Sequence, residues 1–171
     1  MQGFRRRTYA SLREIWDDLS YVLSNRRRIR PLMRGQVISP SFRERLMLTV
    51  TGVNRCRYCA YFHANEAVRI GLSEAELRSL LTGQLPPDTP SEELLALTYA
   101  QHWAETNGWP DPEFGERVLA AYGPTATEAI HLALRMIRMG NLSGNTADYL
   151  LYRLSFGRLG LRQDEKGSAA H

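Results

Sequence analysis

The sequence predicts an all-α fold, a helical bundle of about eight helices without internal repeats. Apolar residues recur every three or four positions through most of the chain, as in the stretch "SLREIWDDLSYVLSN". Segments with this pattern open with Ser, Asp or Asn, which are typical helix N-caps, and several close at a glycine. With 171 residues, of which 43% are hydrophobic, the chain is suited to one domain with one core.

The first half of the chain contains the elements around the two cysteines. After the first helix, "RRRIRPLMRGQVISP" is broken by prolines and a glycine and is predicted to be a loop. Ser41 and Glu44 form a capping-box pattern, which predicts a helix through "RLMLTVTGV". Asn54 is a candidate N-cap for the next helix, which is expected to end near Ile70.

The second half is predicted to consist of five further helices. Their predicted N-termini are Ser73, Ser91, Asp111, Thr125 and Ser143, and the last helix is expected to end near Phe156. Gly123 and Pro124 predict a break between the third and fourth of these helices.

Three regions are predicted along the chain. Residues 1–40 form an N-terminal arm with a helix and a loop, residues 41–158 form the helical core, and residues 159–171 form a polar tail. No apolar run approaches the roughly 20 residues that a membrane-spanning helix needs. The first residues also lack the apolar segment of a secretion signal. The sequence therefore predicts a cytoplasmic protein that does not enter a membrane.

The positive charge is concentrated in one short stretch. The net charge is +4, and the densest basic cluster consists of Arg26, Arg27, Arg28, Arg30 and Arg34. Such a cluster can bind nucleic acid or another anionic partner. It is also typical of a solvated helix C-terminus, where positive charge is favourable. Because no nucleic-acid-binding motif accompanies the cluster, we do not expect a nucleic-acid partner.

Both cysteines of the chain lie in "NRCRYCAYFH", together with a histidine. On a helix that turns about 100° per residue, Cys56, Cys59 and His63 share one face. The two cysteines are then close enough for a disulfide after modest adjustment. His63, one turn beyond Cys59, is placed to exchange a proton with it. In a reducing compartment, such a pair indicates redox chemistry or metal binding rather than a structural disulfide.

Two alternatives to redox chemistry remain open at this point. Cys56, Cys59 and His63 supply three zinc ligands, and Glu44 could supply a fourth, whereas structural zinc sites usually draw on two separated ligand pairs. The remaining histidines, His102, His131 and His171, show no paired spacing. The cysteines could also be buried as small apolar side chains without chemistry.

The segment "SFRERLMLTVTGVNRCRYCAYFHANEAVRIGLSEAEL" resembles the carboxymuconolactone decarboxylase-like superfamily, and more closely its AhpD-like alkylhydroperoxidase branch. The resemblance lies in a glutamate on one helix, a C-x-x-C-x-x-x-H motif opening the next, and "GLS" after it. In this chain the glutamate is Glu44, which stands twelve residues before Cys56. The match is strong over roughly forty residues around these motifs.

The resemblance implies an all-α homo-oligomer that reduces alkyl hydroperoxides with a redox dithiol and no cofactor. It implies that Cys59 is the deeper sulfur and attacks the peroxide, while Cys56, nearer the surface, resolves the product as a disulfide. Glu44 and His63 would relay protons. A dithiol or a thiol protein would then reduce the disulfide by attacking Cys56.

Three points qualify these expectations. An N-cap at Asn54 would put Cys56 in the first helical turn, where the helix dipole favours the Cys56 thiolate rather than that of Cys59. Tyr58 stands where the best-known peroxidases of the branch carry a second histidine. Glu44 could serve only as a helix cap. A lactone-processing relative with bystander cysteines is a further alternative, although the decarboxylase branch generally lacks the C-x-x-C pair.

Overall fold

The computed structural model describes residues 3–166, and all the regular structure in that range is helical, as predicted. The last five residues of the predicted polar tail, 167–171, lie outside the described range. No helix in the described part of the chain is long and apolar enough to cross a membrane. The helices are α1 (Leu12–Ser24), α2 (Arg26–Met33), α3 (Pro40–Asn54), α4 (Arg57–Arg69), α5 (Glu74–Leu81), α6 (Ser91–Glu105), α7 (Pro112–Leu154) and α8 (Gln163–Lys166).

Helix α3 is the central element, since it contacts α4, α5, α6 and α7. Its side chains are buried almost all round, which is typical of a helix inside a core rather than on its surface. At Gly52, a Cβ atom would lie 2.2 Å from the carbonyl oxygen of Leu80, so only glycine allows α5 to approach this closely. The helix begins one residue before the predicted capping box, and its N-cap is Ser39, whose hydroxyl accepts a hydrogen bond from Phe42 N–H at 3.1 Å. The capping role considered for Glu44 is therefore wrong.

The predicted loop after α1 is also wrong in its first half, because Arg26–Met33 forms helix α2. Ile29 and Leu32 pack into the main core, and this burial outweighs the local preference of Pro31 against helix. The five arginines of the basic cluster are all exposed, and Arg28 pairs with Glu128 at 2.9 Å.

Helix α7 is a long helix with one kink. It starts at Pro112 after Asp111, as predicted, and the backbone kinks at Gly123, whose φ of 71° suits glycine. The predicted new start at Ser143 is wrong, since the helix continues without interruption to Leu154. Gly140 and Gly144 lie inside this helix, where they allow α4 to pack closely rather than end the helix.

The N-terminal arm is fixed to the core by buried charges. Arg6 is buried and pairs with Asp148 at 2.5 Å and with Glu165 at 3.1 Å. The Tyr9 hydroxyl donates to Asp18 at 2.9 Å, and Asp18 also binds Arg138 of α7. Helix α1 then packs along α7. The first 24 residues therefore contribute charged groups to the interior of the molecule.

Candidate active site

The turn between α3 and α4 positions the first cysteine. Asn54 is the last residue of α3, Arg55 adopts a left-handed conformation with a φ of 58°, and Cys56 is the N-cap of α4. The prediction that Asn54 caps α4 is therefore wrong by two residues. The Asn54 side chain instead donates to the side-chain oxygen of Asn141 at 3.2 Å, which fastens the turn to α7.

The two sulfur atoms face each other across the first turn of α4. The Cys56 and Cys59 sulfurs lie 3.3 Å apart and both are free thiols. Closing them to a bond of about 2.05 Å requires only a small movement of the side chains. A Cβ atom on Gly144 would lie 3.0 Å from the Cys56 sulfur, and one on Gly140 would lie 3.5 Å from the Cys59 sulfur. The two glycines thus make room for the sulfur pair on α7.

The exposure of the two cysteines is opposite to what the resemblance implies. Cys56 is fully buried, whereas Cys59 is partly exposed. At the N-cap, Cys56 lies between the interhelical turn and Gly144. In this chain Cys56 is therefore the deeper sulfur, and the expectation that it lies nearer the surface is wrong.

The surroundings of the two thiols shift their pKa values in opposite directions. A hydrogen bond from the Cys59 thiol lowers the pKa of Cys56 to about 6, and burial opposes this shift. The backbone N–H groups of Cys59 and Tyr58 and the charge of Arg6 also lower this pKa. The pKa of Cys59 is raised by its hydrogen bond to Cys56, by burial and by the Cys56 negative charge. The first thiolate therefore forms on Cys56, as the argument from the helix dipole predicts.

A buried carboxylate and a histidine form the second part of the site. Glu44 is 2% exposed, and its Oε2 lies 2.6 Å from Nδ1 of His63. Its Oε1 accepts two hydrogen bonds from Arg43, at 2.9 and 3.1 Å. Burial raises the pKa of Glu44, but the contacts with His63 and Arg43 outweigh it and leave this pKa below its usual value. The carboxylate is therefore ionised at neutral pH and holds the imidazole.

The orientation of the imidazole leaves one ring nitrogen available. If neutral His63 donates from Nδ1 to Glu44, its Nε2 carries a lone pair that can accept a proton. His63 follows Cys59 by four positions on α4, a spacing that places the two Cβ atoms about 5–6 Å apart. Among the described residues, no hydrogen bond links this ring directly to either sulfur. Proton exchange with Cys59 then needs a side-chain rotation or one bridging water.

A row of buried polar residues runs along α7, and two of them, Asn141 and Asn145, bind the turn between α3 and α4. Its members lie three or four positions apart and are at most 5% exposed: Arg138, Asn141, Asn145 and Asp148. The Asn141 amide donates to Thr51 at 3.2 Å, and its side chain lowers the pKa of Cys59. The Asn145 amide donates to the Asn54 carbonyl at 2.8 Å.

Asn141 and Asn145 were not identified from the sequence as residues of the site. Each side chain is fully buried within the chain. The signal that could have found them is a polar residue every three or four positions on the apolar side of a long helix.

The zinc alternative finds no support in this geometry. In residues 3–166, no three His, Cys, Asp or Glu side chains converge in an arrangement that could hold a metal ion. The Glu44 oxygens are taken by His63 and Arg43, so the carboxylate does not point at the sulfurs as a ligand.

The comparison with protein families agrees with the sequence. Residues 30–102 match the model of the carboxymuconolactone decarboxylase family, and the AhpD-like branch lies within that family. The matched segment contains Glu44, Cys56, Cys59 and His63, so the predicted resemblance is confirmed for the part of the chain that carries the site. Comparisons with curated proteins and with solved structures found no significant match.

Replacing Glu44 by glutamine tests the buried contact. Because the folded-state pKa of Glu44 is lowered, its stabilising contribution is present above about pH 4.5 and is lost as the pH falls through the folded-state value. We expect Glu44→Gln to lower the free energy of unfolding at pH 7 by about 1–3 kcal/mol, since the buried Arg43 loses its counter-charge. The difference from the parent protein should shrink as the pH falls below about 4.5.

Urea denaturation at several pH values measures this effect. Glu66→Gln is the matched control, because Glu66 makes a surface ion pair with Arg69 at 2.9 Å and should contribute little at any pH. A Glu44→Gln deficit that is small at pH 7, or that grows on acidification, would contradict the buried-carboxylate assignment.

Proposed function

We propose that the protein is a thiol-dependent oxidoreductase that reduces alkyl hydroperoxides with the Cys56–Cys59 dithiol. The observation that carries this proposal is the 3.3 Å approach of the two sulfurs at the N-terminus of α4. The Glu44–His63 pair on the same side of α4 supports it, because peroxide attack needs a group that moves protons. The match to a family with an alkylhydroperoxidase branch is consistent with this chemistry.

The oxidation begins at the accessible sulfur. Cys59, as a thiolate, attacks one oxygen of the hydroperoxide, the O–O bond breaks, and an alkoxide leaves. Cys59 becomes a sulfenic acid, and the alkoxide takes a proton to give the alcohol. The Cys56 thiolate then attacks the Cys59 sulfur, a disulfide forms, and hydroxide leaves and is protonated to water. One hydroperoxide and two thiols thus give an alcohol, water and one disulfide.

The raised pKa of Cys59 explains why the reaction needs a base. A thiol whose pKa is raised is protonated at neutral pH, and only the thiolate attacks a peroxide. In the proposed cycle, His63 Nε2 accepts the Cys59 proton and returns it to the leaving alkoxide. Glu44 fixes the orientation of the ring through its contact with Nδ1, which is a positioning role.

The cycle closes when a dithiol or a thiol protein reduces the disulfide. Such a cycle suits a compartment that keeps thiols reduced, and we propose the cytoplasm as its location. The lactone-processing alternative treats the cysteines as bystanders. That alternative does not explain why two adjacent thiols with oppositely shifted pKa values lie near a buried carboxylate–histidine pair.

Single cysteine substitutions test the two roles. We expect Cys59→Ser to abolish hydroperoxide consumption, because it removes the accessible sulfur. Cys56→Ser should still react once with hydroperoxide and should then hold a sulfenic acid that dimedone traps, detected by mass spectrometry. Equal single-turnover reactivity in Cys59→Ser would reverse the two roles.

Removal of the base should slow the same step. We expect His63→Ala to slow single-turnover oxidation by roughly 10²-fold, the lower end of general acid–base contributions, measured as thiol loss by stopped flow. His102→Ala is the control, because His102 lies on α6 and pairs with Asp111 rather than with the site. An unchanged rate in His63→Ala, or an equal loss in His102→Ala, would remove His63 from the mechanism.

We also propose that the protein is a homo-oligomer and that the N-terminal region contributes to its contacts. The outward face of α1 carries Leu12, Trp16 and Leu23, which are 84%, 65% and 50% exposed, at positions that share one side of a helix. Apolar side chains grouped on one helix face are typical of a contact between copies of a chain.

Trp16→Glu tests this contact. A charge on the apolar face of α1 should shift the protein to a smaller species in light scattering at micromolar concentration. The matched control is Trp109→Glu, since Trp109 is also exposed, at 84%, but lies on the connection before α7. A parent protein that is already monomeric would contradict the proposal.

A further inference from the structure

The two sulfurs differ in access and in the charges around them, and this difference gives the disulfide a direction of reduction. We propose that an external thiol attacks Cys59, that Cys56 is the sulfur that leaves, and that Arg6 of the N-terminal arm is the positioning residue that holds Cys56 in this role. The inference rests on the proposed function, which supplies the disulfide. It reverses the order of attack that the family resemblance implies.

Access selects Cys59 as the point of attack. Thiol–disulfide exchange needs the attacking sulfur in line with the bond that breaks, so the attacked sulfur must be reachable from solvent. Cys56 has no exposed surface and is enclosed by Gly144 and the α3–α4 turn, whereas Cys59 is partly exposed. An incoming thiol therefore meets Cys59 first.

The leaving group is favoured on the other sulfur. The sulfur with the more stable thiolate leaves faster in an exchange reaction. Cys56 is at the N-cap of α4, where the helix N-terminus stabilises negative charge. In the dithiol, the hydrogen bond from the Cys59 thiol is the largest cause that lowers the pKa of Cys56 to about 6, and the pKa of Cys59 is raised. The backbone N–H groups of Cys59 and Tyr58 and the charge of Arg6 also lower the Cys56 pKa, and these groups are still present when Cys59 is bonded to another sulfur.

Arg6 of the N-terminal arm brings a positive charge to the region of Cys56. Its guanidinium is buried and donates to the Asn145 side chain at 3.5 Å and to Asp148 at 2.5 Å. Asn145 in turn binds the carbonyl of Asn54, two residues before Cys56. The N-terminal arm, α7 and the turn between α3 and α4 are thereby joined by one series of hydrogen bonds.

Asp148 also holds the two residues between the cysteines. The Tyr58 hydroxyl donates to Asp148 Oδ1 at 2.7 Å, and Arg57 donates to the same oxygen at 2.6 Å. Since Asp148 has no exposed side chain, these contacts fix the first turn of α4 against α7. Tyr58, which replaces a histidine of the best-known relatives, thus has a positioning role in this chain.

The charged and titratable groups around Cys56 come from each element packed against it: Arg6 from the arm, Arg57, Tyr58 and Cys59 from α4, Asp148 from α7, and Glu165 from α8 through its contact with Arg6. The negative charge of Asp148 is shared between Arg6, Arg57 and Tyr58. The hydrogen bond from Cys59 lowers the pKa of Cys56 most, and the charge of Arg6 lowers it further.

An external thiolate forms a bond to the Cys59 sulfur, the Cys56–Cys59 bond breaks, and Cys56 receives the electron pair as a thiolate. The second thiolate of the dithiol reductant then attacks the reductant sulfur that is bonded to Cys59. The mixed disulfide breaks, and the Cys59 thiolate is released. The reductant leaves oxidised, and the protein recovers both thiols after Cys59 takes up a proton.

The position of the mixed disulfide tests the direction of attack. The disulfide is prepared with diamide, mixed with glutathione, quenched with acid at early times and labelled with N-ethylmaleimide under denaturing conditions. Trypsin cleaves after Arg57, so the two cysteines fall in different peptides. We expect glutathione on the Cys59 peptide at least tenfold more often than on the Cys56 peptide, and the reverse distribution would overturn the proposal.

This design separates failure of the inference from failure of the proposed function. Diamide forms the disulfide whether or not hydroperoxides are substrates. A glutathione adduct on Cys56 therefore rejects the direction of attack and leaves the peroxidase proposal standing. Failure of diamide to close the disulfide would reject both.

Substitution of Arg6 tests its positioning role. In a Cys59→Ser background, the thiolate absorbance of Cys56 at 240 nm gives its titration midpoint directly. We expect Arg6→Gln to raise the midpoint by ~0.5 to 1 unit and Arg6→Lys, which keeps the charge, to restore most of the shift. Arg7→Gln is the matched control, because Arg7 anchors the same arm through the carbonyl oxygens of Ala104 and Glu105.

A purely structural role for Arg6 predicts a different pattern. Loosening of the arm would move the Cys56 titration midpoint equally in Arg6→Gln and Arg7→Gln. The charge-conserving Arg6→Lys substitution would then not restore the midpoint. Either that pattern, or an unchanged midpoint in a folded Arg6→Gln protein judged by circular dichroism, would overturn the positioning role.

Discussion

The close packing of the first turn of α4 against α7 is the constraint on which the candidate site depends. Two glycines on α7 leave room for the two sulfurs, and an added methyl group at Gly144 would lie 3.0 Å from the Cys56 sulfur. Close contact alone would bury polar backbone at the interhelical turn without partners, which is costly. Asn145 donates to the Asn54 carbonyl and Asn141 accepts from the Asn54 side chain, so the steric fit and the hydrogen bonds act together.

This packing distributes the chemistry between the two cysteines. The N-cap position buries Cys56 and stabilises its thiolate, whereas Cys59 is one turn further along and stays accessible. Cys59 is therefore accessible but has a raised pKa, and in the proposed function this is what gives a nearby base a role. We propose that this role belongs to the Glu44–His63 pair, which joins α3 to α4 and in which Glu44 also accepts hydrogen bonds from Arg43.

The sequence predicted the local part of this arrangement well. The C-x-x-C-x-x-x-H spacing places three side chains on one helix face, and helix geometry follows from spacing alone. The contribution of Glu44 was suggested by the family resemblance, and its contact with His63 crosses between two helices. The boundary of α4 was misplaced because Arg55, a residue without special preference for the left-handed conformation, makes the turn instead of Asn54. The Arg6–Asp148 pair joins residues 142 positions apart, and no local pattern predicts such a contact.

The most direct measurement of the central claim is a count of free thiols and of mass after one equivalent of an alkyl hydroperoxide, with metal analysis of the same sample. We predict loss of both thiols of each chain, a mass decrease of two hydrogens, recovery of both thiols with dithiothreitol, and no stoichiometric metal. Thiols that survive the hydroperoxide, or one bound zinc per chain that protects them, would contradict it.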